Sequence, residues 1–183
     1  MALGGTFPTV LAAAQAGSEW AWEAIYLDLA GAVRGYLRAH GAVEPDDLVG
    51  EVFLQLARNI GTFEGEESGF RSWVFTVAHH RLVDERRSRG RRPLDLIDDS
   101  ALEAAAPTGD VEHDAVERLS AEEAKGLLEH LSSDQRDVLL LRILGGLTVD
   151  EVAAAIGKRP GAVKALQRRA LASLQRMVVG AGL

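Results

Sequence analysis

Four basic residues near the C-terminal end, Arg159, Lys164, Arg168 and Arg169, are spaced so that a helix gathers them away from its apolar side. Guanidinium and ammonium groups arrayed in this way neutralise phosphates and donate to base edges, which is recognition chemistry and not bond making. A second set lies earlier. Phe63, Phe70, Arg71 and Trp73 are followed by Arg81, Arg86 and Arg87. Rings that stack bases beside arginines that neutralise phosphates suit single-stranded or melted nucleic acid. The competing roles are core packing for the rings and a solvated helix end for the arginines. A third set is His79, His80 and Asp84. His80 and Asp84 are four residues apart and share a helical face, as metal ligands do. No third ligand accompanies them, no HExxH pattern exists, and Arg81 and Arg86 repel a cation. The chain holds no nucleophile elbow, phosphate loop or dinucleotide fingerprint. It has no cysteine, which removes thiolate metal sites, disulfides and a cysteine nucleophile.

The elements that position the first set are legible in Thr148–Leu174, TVDEVAAAIGKRPGAVKALQRRALASL. Thr148-x-x-Glu151 is a capping box that opens a helix. Val152, Ala153 and Ile156 form its apolar stripe, and Gly157 supplies a sharp turn. Pro160 suits the first turn of a second helix, in which Val163, Leu166 and Ala170 face inward. This is a helix-turn-helix, the geometry that seats a second helix in a DNA major groove. An ordinary helical hairpin with a basic solvated face is the alternative.

The net charge of −7 looks unsuited to nucleic acid until it is divided along the chain. Residues 1–92 carry net −2, residues 93–126 net −8, and residues 127–183 net +3. The acidity is concentrated in the middle, and local field governs docking more than whole-chain charge does. Hydrophobic residues make up 47% of the chain, enough for a core. No apolar run approaches membrane-spanning length, and the N-terminus lacks the features of a signal peptide, so a cytoplasmic location is expected.

The first 92 residues read as helical. Val10–Gln15 is a short apolar segment. Ser18 is placed to cap a long helix toward Arg38, with Trp20, Trp22, Ile25, Leu29, Val33, Tyr36 and Leu37 as core surface. Pro45 opens a second helix with Leu48, Val52, Leu56 and Ile60 at four-residue spacing. A polar loop, Gly61–Gly69, separates it from a third helix running from Phe70, with Trp73, Val74, Val77, Ala78 and Leu82 inward. Residues 93–126, punctuated by Pro93, Pro107 and Gly109, read as an acidic flexible linker. Helix resumes near Ser120, another capping-box start. The linker is a tether or an acidic strand that mimics RNA in a channel. Ser132-x-x-Gln135 caps a further helix, and Gly145-Gly146 breaks it. The expected fold is all-α: two small helical domains, 1–92 and 127–183, joined by the linker 93–126.

Two modules and a linker in this order resemble a bacterial extracytoplasmic-function (ECF, group 4) sigma factor of the sigma-70 family. DLVGEVFLQLARNIGTF resembles the segment that grips core RNA polymerase, FRSWVFTVAHHRLVDERRSR the segment that melts and reads the −10 element, and residues 131–174 the −35 reader. The resemblance implies a non-catalytic subunit that needs no cofactor and no metal. Its partners would be core RNA polymerase, promoter DNA and an anti-sigma factor, with no membrane insertion. It implies polymerase contacts at Asp47, Leu48, Glu51, Val52 and Phe53. It implies −10 contacts at Phe63, Phe70, Arg71, Trp73, His80, Arg81, Asp84, Arg86 and Arg87, with the 61–69 loop capturing a flipped base. For the −35 element it implies Arg159, Gly161, Lys164, Arg168 and Arg169.

The chain departs from the family pattern in places. Gly50 stands for a usual Gln, His80 for Asn, Arg159 for a Ser/Thr cap, and Ala162 and Leu166 for Thr and Arg. Fewer base-edge donors then remain on the recognition helix, and phosphate contact and groove shape carry more of the −35 reading. No additional regulatory domain is expected after Leu174. Two rival readings stay open at this point: a helix-turn-helix regulator that acts without polymerase, and an enzyme with a site at His79, His80 and Asp84.

Overall fold

The computed structural model describes residues 3–91 and 126–180, so most of the expected linker and the expected helix start at Ser120 lie outside the described residues. The fold is all-α. After a short 3-10 turn at Gly4–Thr6, helix α1 spans Phe7–Gln15 and buries Phe7, Val10 and Ala14 on one side. Helix α2, Glu19–Ala39, sets Ala21, Ile25, Leu29 and Val33 in an inward row at four-residue spacing. Trp20 departs from the expected core set and is 53% exposed. It precedes the inward row by one residue, about 100° around the helix, and Ala21 takes the inner place.

Helix α3, Pro45–Asn59, opens on proline with Asp46 and Asp47 in its first turn, where carboxylates meet the positive end of the helix dipole. A 3-10 turn, Ile60–Thr62, leads to α4, Glu67–Arg91. The sequence predicts the loop to run to Gly69. The helix instead begins at Glu67, with that acid in its first turn, and leaves a shorter loop. Helices α1–α4 form a bundle around Ile25, Tyr36, Leu56, Phe75 and Leu82, all 0% exposed. Each fully buried leucine there contributes on the order of 2 kcal/mol.

Residues 126–129 are helical, and α5, Ser133–Ile143, follows. Its start carries the predicted capping box: the Gln135 amide donates to Ser132 Oγ (3.3 Å), and the Ser132 amide to Gln135 Oε1 (3.0 Å). Helix α6 spans Val149–Ala155, and α7 spans Pro160–Gly180.

The two helical groups dock directly. Val138, Leu140, Leu141, Leu147 and Val152 belong to the same buried cluster as Val74, Phe75 and Ala78 of α4. A Cβ at Gly145 would lie 2.7 Å from the Leu141 carbonyl and 3.0 Å from Phe75 Cβ, so only glycine allows this approach. Polar groups reach across as well. Arg71 Nε donates to the Leu144 carbonyl (3.0 Å), and Arg136 Nη1 to the Ala39 carbonyl (3.1 Å). His40 Nε2 faces Asp137 Oδ1 at 2.6 Å, and the Tyr36 hydroxyl meets His79 Nδ1 at 2.8 Å. Burial, then the Asp137 charge, pushes the Tyr36 phenol well above its ordinary range.

Candidate nucleic-acid interface

The α6–α7 unit is built by local chemistry. The Glu151 amide donates to Thr148 Oγ1 (3.2 Å), and the Thr148 amide to Glu151 Oε2 (2.6 Å). That backbone amide, outweighing burial, holds the Glu151 carboxyl below its usual range. The hydroxyls of Thr148 and Ser72 act in the same direction. Gly157 takes a φ of +65°, a conformation costly for other residues, and the Lys158 amide closes the turn on the Ala153 carbonyl (2.9 Å). Lys158 Nζ then pairs with Asp134 Oδ2 of α5 at 2.9 Å.

Val163, Leu166 and Ala170 of α7 are buried against this frame. The opposite side presents Gly161, Lys164 and Arg168 at i, i+3 and i+7, all exposed, flanked by exposed Arg159 and Arg169. Arg159, Lys164 and Arg168 form no ion pair with a described residue, so their charge faces solvent. Leu166 is only 8% exposed, so it belongs to the core and takes no base-reading position; Ala162 is exposed.

The second set divides. Phe70 is 1% exposed and lies in the core. Its ring meets Phe7, Phe63 and Trp73 at centroid distances of 5.6, 5.2 and 5.7 Å. Phe63 and Trp73 are partly buried and stack on each other at 5.4 Å with 13° between their planes. Arg71 is turned to Leu144, and its Nη1 lies 4.0 Å from Asp28. Arg86 Nη2 donates to the His40 carbonyl (2.7 Å), which makes it a cap for the end of α2. Arg81 donates to Gln55 Oε1 (2.9 Å) and lies 4.0 Å from Glu51. His80, Asp84 and Arg87 are exposed, the last two 3.9 Å apart. The group that the sequence treats as one surface is thus partly surface and partly fastening.

The third set is dispersed. His79 is buried on Tyr36 while His80 faces solvent. Burial, opposed in part by Asp137, lowers the His79 pKa. Among the described residues no group of three or more His, Cys, Asp or Glu side chains is arranged to hold a metal.

On α3, Asp47, Gly50 and Glu51 are exposed. Leu48, Val52 and Phe53, expected as partner contacts, are 6%, 0% and 8% exposed and lie in the core. Their apolar side chains are the inward stripe of the helix and offer no surface to a partner. Leu54, which the sequence reading does not single out, is 59% exposed beside Gly50 and Glu51. Its signal was its place off the four-residue stripe that contains Leu48, Val52 and Leu56.

A bundle with a basic, aromatic-edged helix, docked to a helix-turn-helix with a free cationic strip, defines a two-part DNA reader. Comparison with known proteins narrows the class. Sigma-70 region 2 matches residues 22–92, and Sigma-70 region 4 matches residues 114–174. The chain belongs to the ECF RNA polymerase sigma factors of the sigma-70 family, a family of transcription initiation factors and not of enzymes. It is 32% identical to the ECF RNA polymerase sigma factor SigD of Mycobacterium tuberculosis, over 98% of this chain and 87% of that one. It is 33% identical to BldN of Streptomyces coelicolor over 90% of this chain, and spans 63% of that relative's length. The solved structure of CnrH in complex with the cytosolic domain of CnrY shares the fold: TM-score 0.63 and 21% identity, over 94% of this chain and 96% of that one. No helix among the described residues is long and apolar enough to cross a membrane.

Proposed function

We propose that this chain directs core RNA polymerase to promoters as its dissociable specificity subunit. The observation that carries the reading is the solvent-facing strip of Gly161, Lys164 and Arg168 on a helix-turn-helix whose first helix starts in a capping box, in the same chain as the basic helix α4. The strip meets the −35 element, mainly through phosphates and groove shape. The Phe63–Trp73 edge, the 63–66 loop, His80, Arg81 and Arg87 meet the melted −10 strand. Asp47, Gly50, Glu51 and Leu54 on the outer face of α3 meet polymerase, while Leu48, Val52 and Phe53 hold that face in place from beneath. An anti-sigma factor that covers these surfaces is the expected regulator, and the cytoplasm the expected compartment.

Use of both promoter elements at once calls for the two modules to part. The elements lie about 25 base pairs apart, roughly 85 Å at ~3.4 Å per base pair. A compact chain of this length is only about 40 Å across. Polymerase, with separate seats for each module, supplies the free energy that opens the docked form.

The test is reconstitution with core polymerase that lacks any sigma factor, followed by transcription of a genomic promoter library. Initiation at defined sites sharing −10 and −35 elements is expected. Absence of core binding overturns the reading, and sequence-specific duplex binding that is indifferent to polymerase favours a free-standing helix-turn-helix regulator.

A further inference from the structure

Residues 3–21 precede the Sigma-70 region 2 match, yet they reach the loop between α3 and α4 through three separate contacts. Gln15, the last residue of α1, donates both amide hydrogens of Nε2 to that loop, one to the Ile60 carbonyl (3.0 Å) and one to the Phe63 carbonyl (2.9 Å). The Ile60 carbonyl also accepts from the Phe63 amide (3.0 Å), which closes the 3-10 turn, and the Phe63 carbonyl lies just past that turn. At the other end of the loop, the Glu67 carboxylate accepts from two consecutive backbone amides, Leu3 (2.7 Å) and Gly4 (2.8 Å). Between these points Phe7 of α1 lies under Phe70, and Phe70 supports the Phe63–Trp73 stack. Gly65 closes over the Phe63 ring, with space for a Cβ only 3.3 Å from Cζ.

A loop that captures a base needs fixed acceptors and a fixed ring, because a recognition site works only where supporting contacts hold its groups in the productive geometry. Gln15 and Glu67 do not themselves form the proposed reading edge. They determine where Phe63 and the exposed Glu64–Glu66 stand.

We propose that residues 3–15 are a positioning element for the −10 loop, with Gln15 and Glu67 setting which base the loop prefers. This rests on the assignment of that loop to the −10 strand. Gln15 is exposed, so its loss removes the two loop bonds without opening the core.

The experiment compares the full-length chain with Gln15→Ala and Glu67→Gln, each reconstituted with core polymerase on a library randomised at the −10 element. Hydrogen exchange of the 60–67 amides and the thermal midpoint are measured in parallel. Expected for both variants are faster exchange in the loop and a several-fold fall in the ratio of initiation on preferred to non-preferred −10 bases. Core affinity and −35 dependence should hold, with little change in midpoint. An unchanged preference ratio in both variants, against a clear wild-type preference, overturns this inference alone. A wild-type chain with no −10 preference overturns the loop assignment and this inference with it. A preference lost only in proportion to core binding or thermal midpoint also overturns it, because a merely structural role would produce that pattern.

Discussion

His40 at the end of α2 and Asp137 in the middle of α5 meet across the two modules, Nε2 to Oδ1 at 2.6 Å, with side chains 0% and 10% exposed. The His40 ring is held from its other side by Nδ1 on the Tyr36 carbonyl (2.9 Å). His79 stands 4.0 Å from the same Asp137 oxygen, and Arg86 and Arg136 hold the neighbouring α2 carbonyls. The docked form is thus fastened by a polar clasp set inside apolar surroundings.

Asp137→Ala removes the carboxylate that His40 Nε2 faces across the modules, and leaving a buried polar group without its facing partner costs about 2 kcal/mol. Because the clasp joins modules, part of that loss should appear as separation and not as unfolding. A larger radius of gyration by small-angle scattering, with a lower denaturation midpoint, is the expected result.

The clasp gives stability a pH dependence through His79. Burial lowers its pKa below the ordinary 6.5, so the folded chain keeps it neutral while the unfolded chain takes up a proton. Its contribution is fully present above pH 6.5 and is lost as pH falls from there toward the folded value. Thermal midpoints between pH 7.5 and 5.5 should fall less steeply in His79→Gln, which keeps a polar partner for Tyr36 but does not titrate.

Lys164→Ala and Arg168→Ala should each weaken −35-dependent initiation by several-fold and lower the salt slope of DNA binding by about 1, the signature of one lost phosphate contact. Core-polymerase affinity should not move. Leu166→Ala, two residues from each on the buried side, should instead lower stability by about 3 kcal/mol.

The outer and inner faces of α3 separate in the same way. Glu51→Lys and Leu54→Ala should reduce core-polymerase affinity with little effect on thermal stability, since both side chains are exposed. Leu56→Ala, at a 0% exposed position, should cost about 3 kcal/mol, and any loss of polymerase binding should follow from that. Titration of labelled core polymerase beside thermal denaturation distinguishes the two.

What was legible in the sequence was local. Thr148 with Glu151 and Ser132 with Gln135 announce helix starts because both partners lie within one turn, and Gly157 announces the turn between α6 and α7. The side on which Lys164 and Arg168 stand follows from helical period alone. Periodicity did not say which member of a bulky run takes the inner row, and so misplaced Trp20. Motif resemblance does not separate residues that touch a partner from residues that support them: it implies polymerase contacts at Leu48, Val52 and Phe53, whose side chains lie in the core. Arg71 and Arg86 look like phosphate ligands, but their donors go to the carbonyls of Leu144 and His40. Those acceptors come from distant parts of the chain, and no spacing rule reveals them.

The bond from Arg71 to Leu144 has a further consequence. The single Nε–H of Arg71 cannot be given in full to the Leu144 carbonyl and to a DNA phosphate together. If Arg71 joins the −10 contacts, each DNA molecule that takes it removes a tie between the modules, and each closing of the modules takes a ligand from DNA. Thermodynamic reciprocity then requires the two effects to be equal: the factor by which closure weakens −10 binding is the factor by which −10 DNA favours opening. Promoter DNA would act as an effector of the chain's own shape, and Arg71→Ala would weaken that coupling even where total affinity changed little.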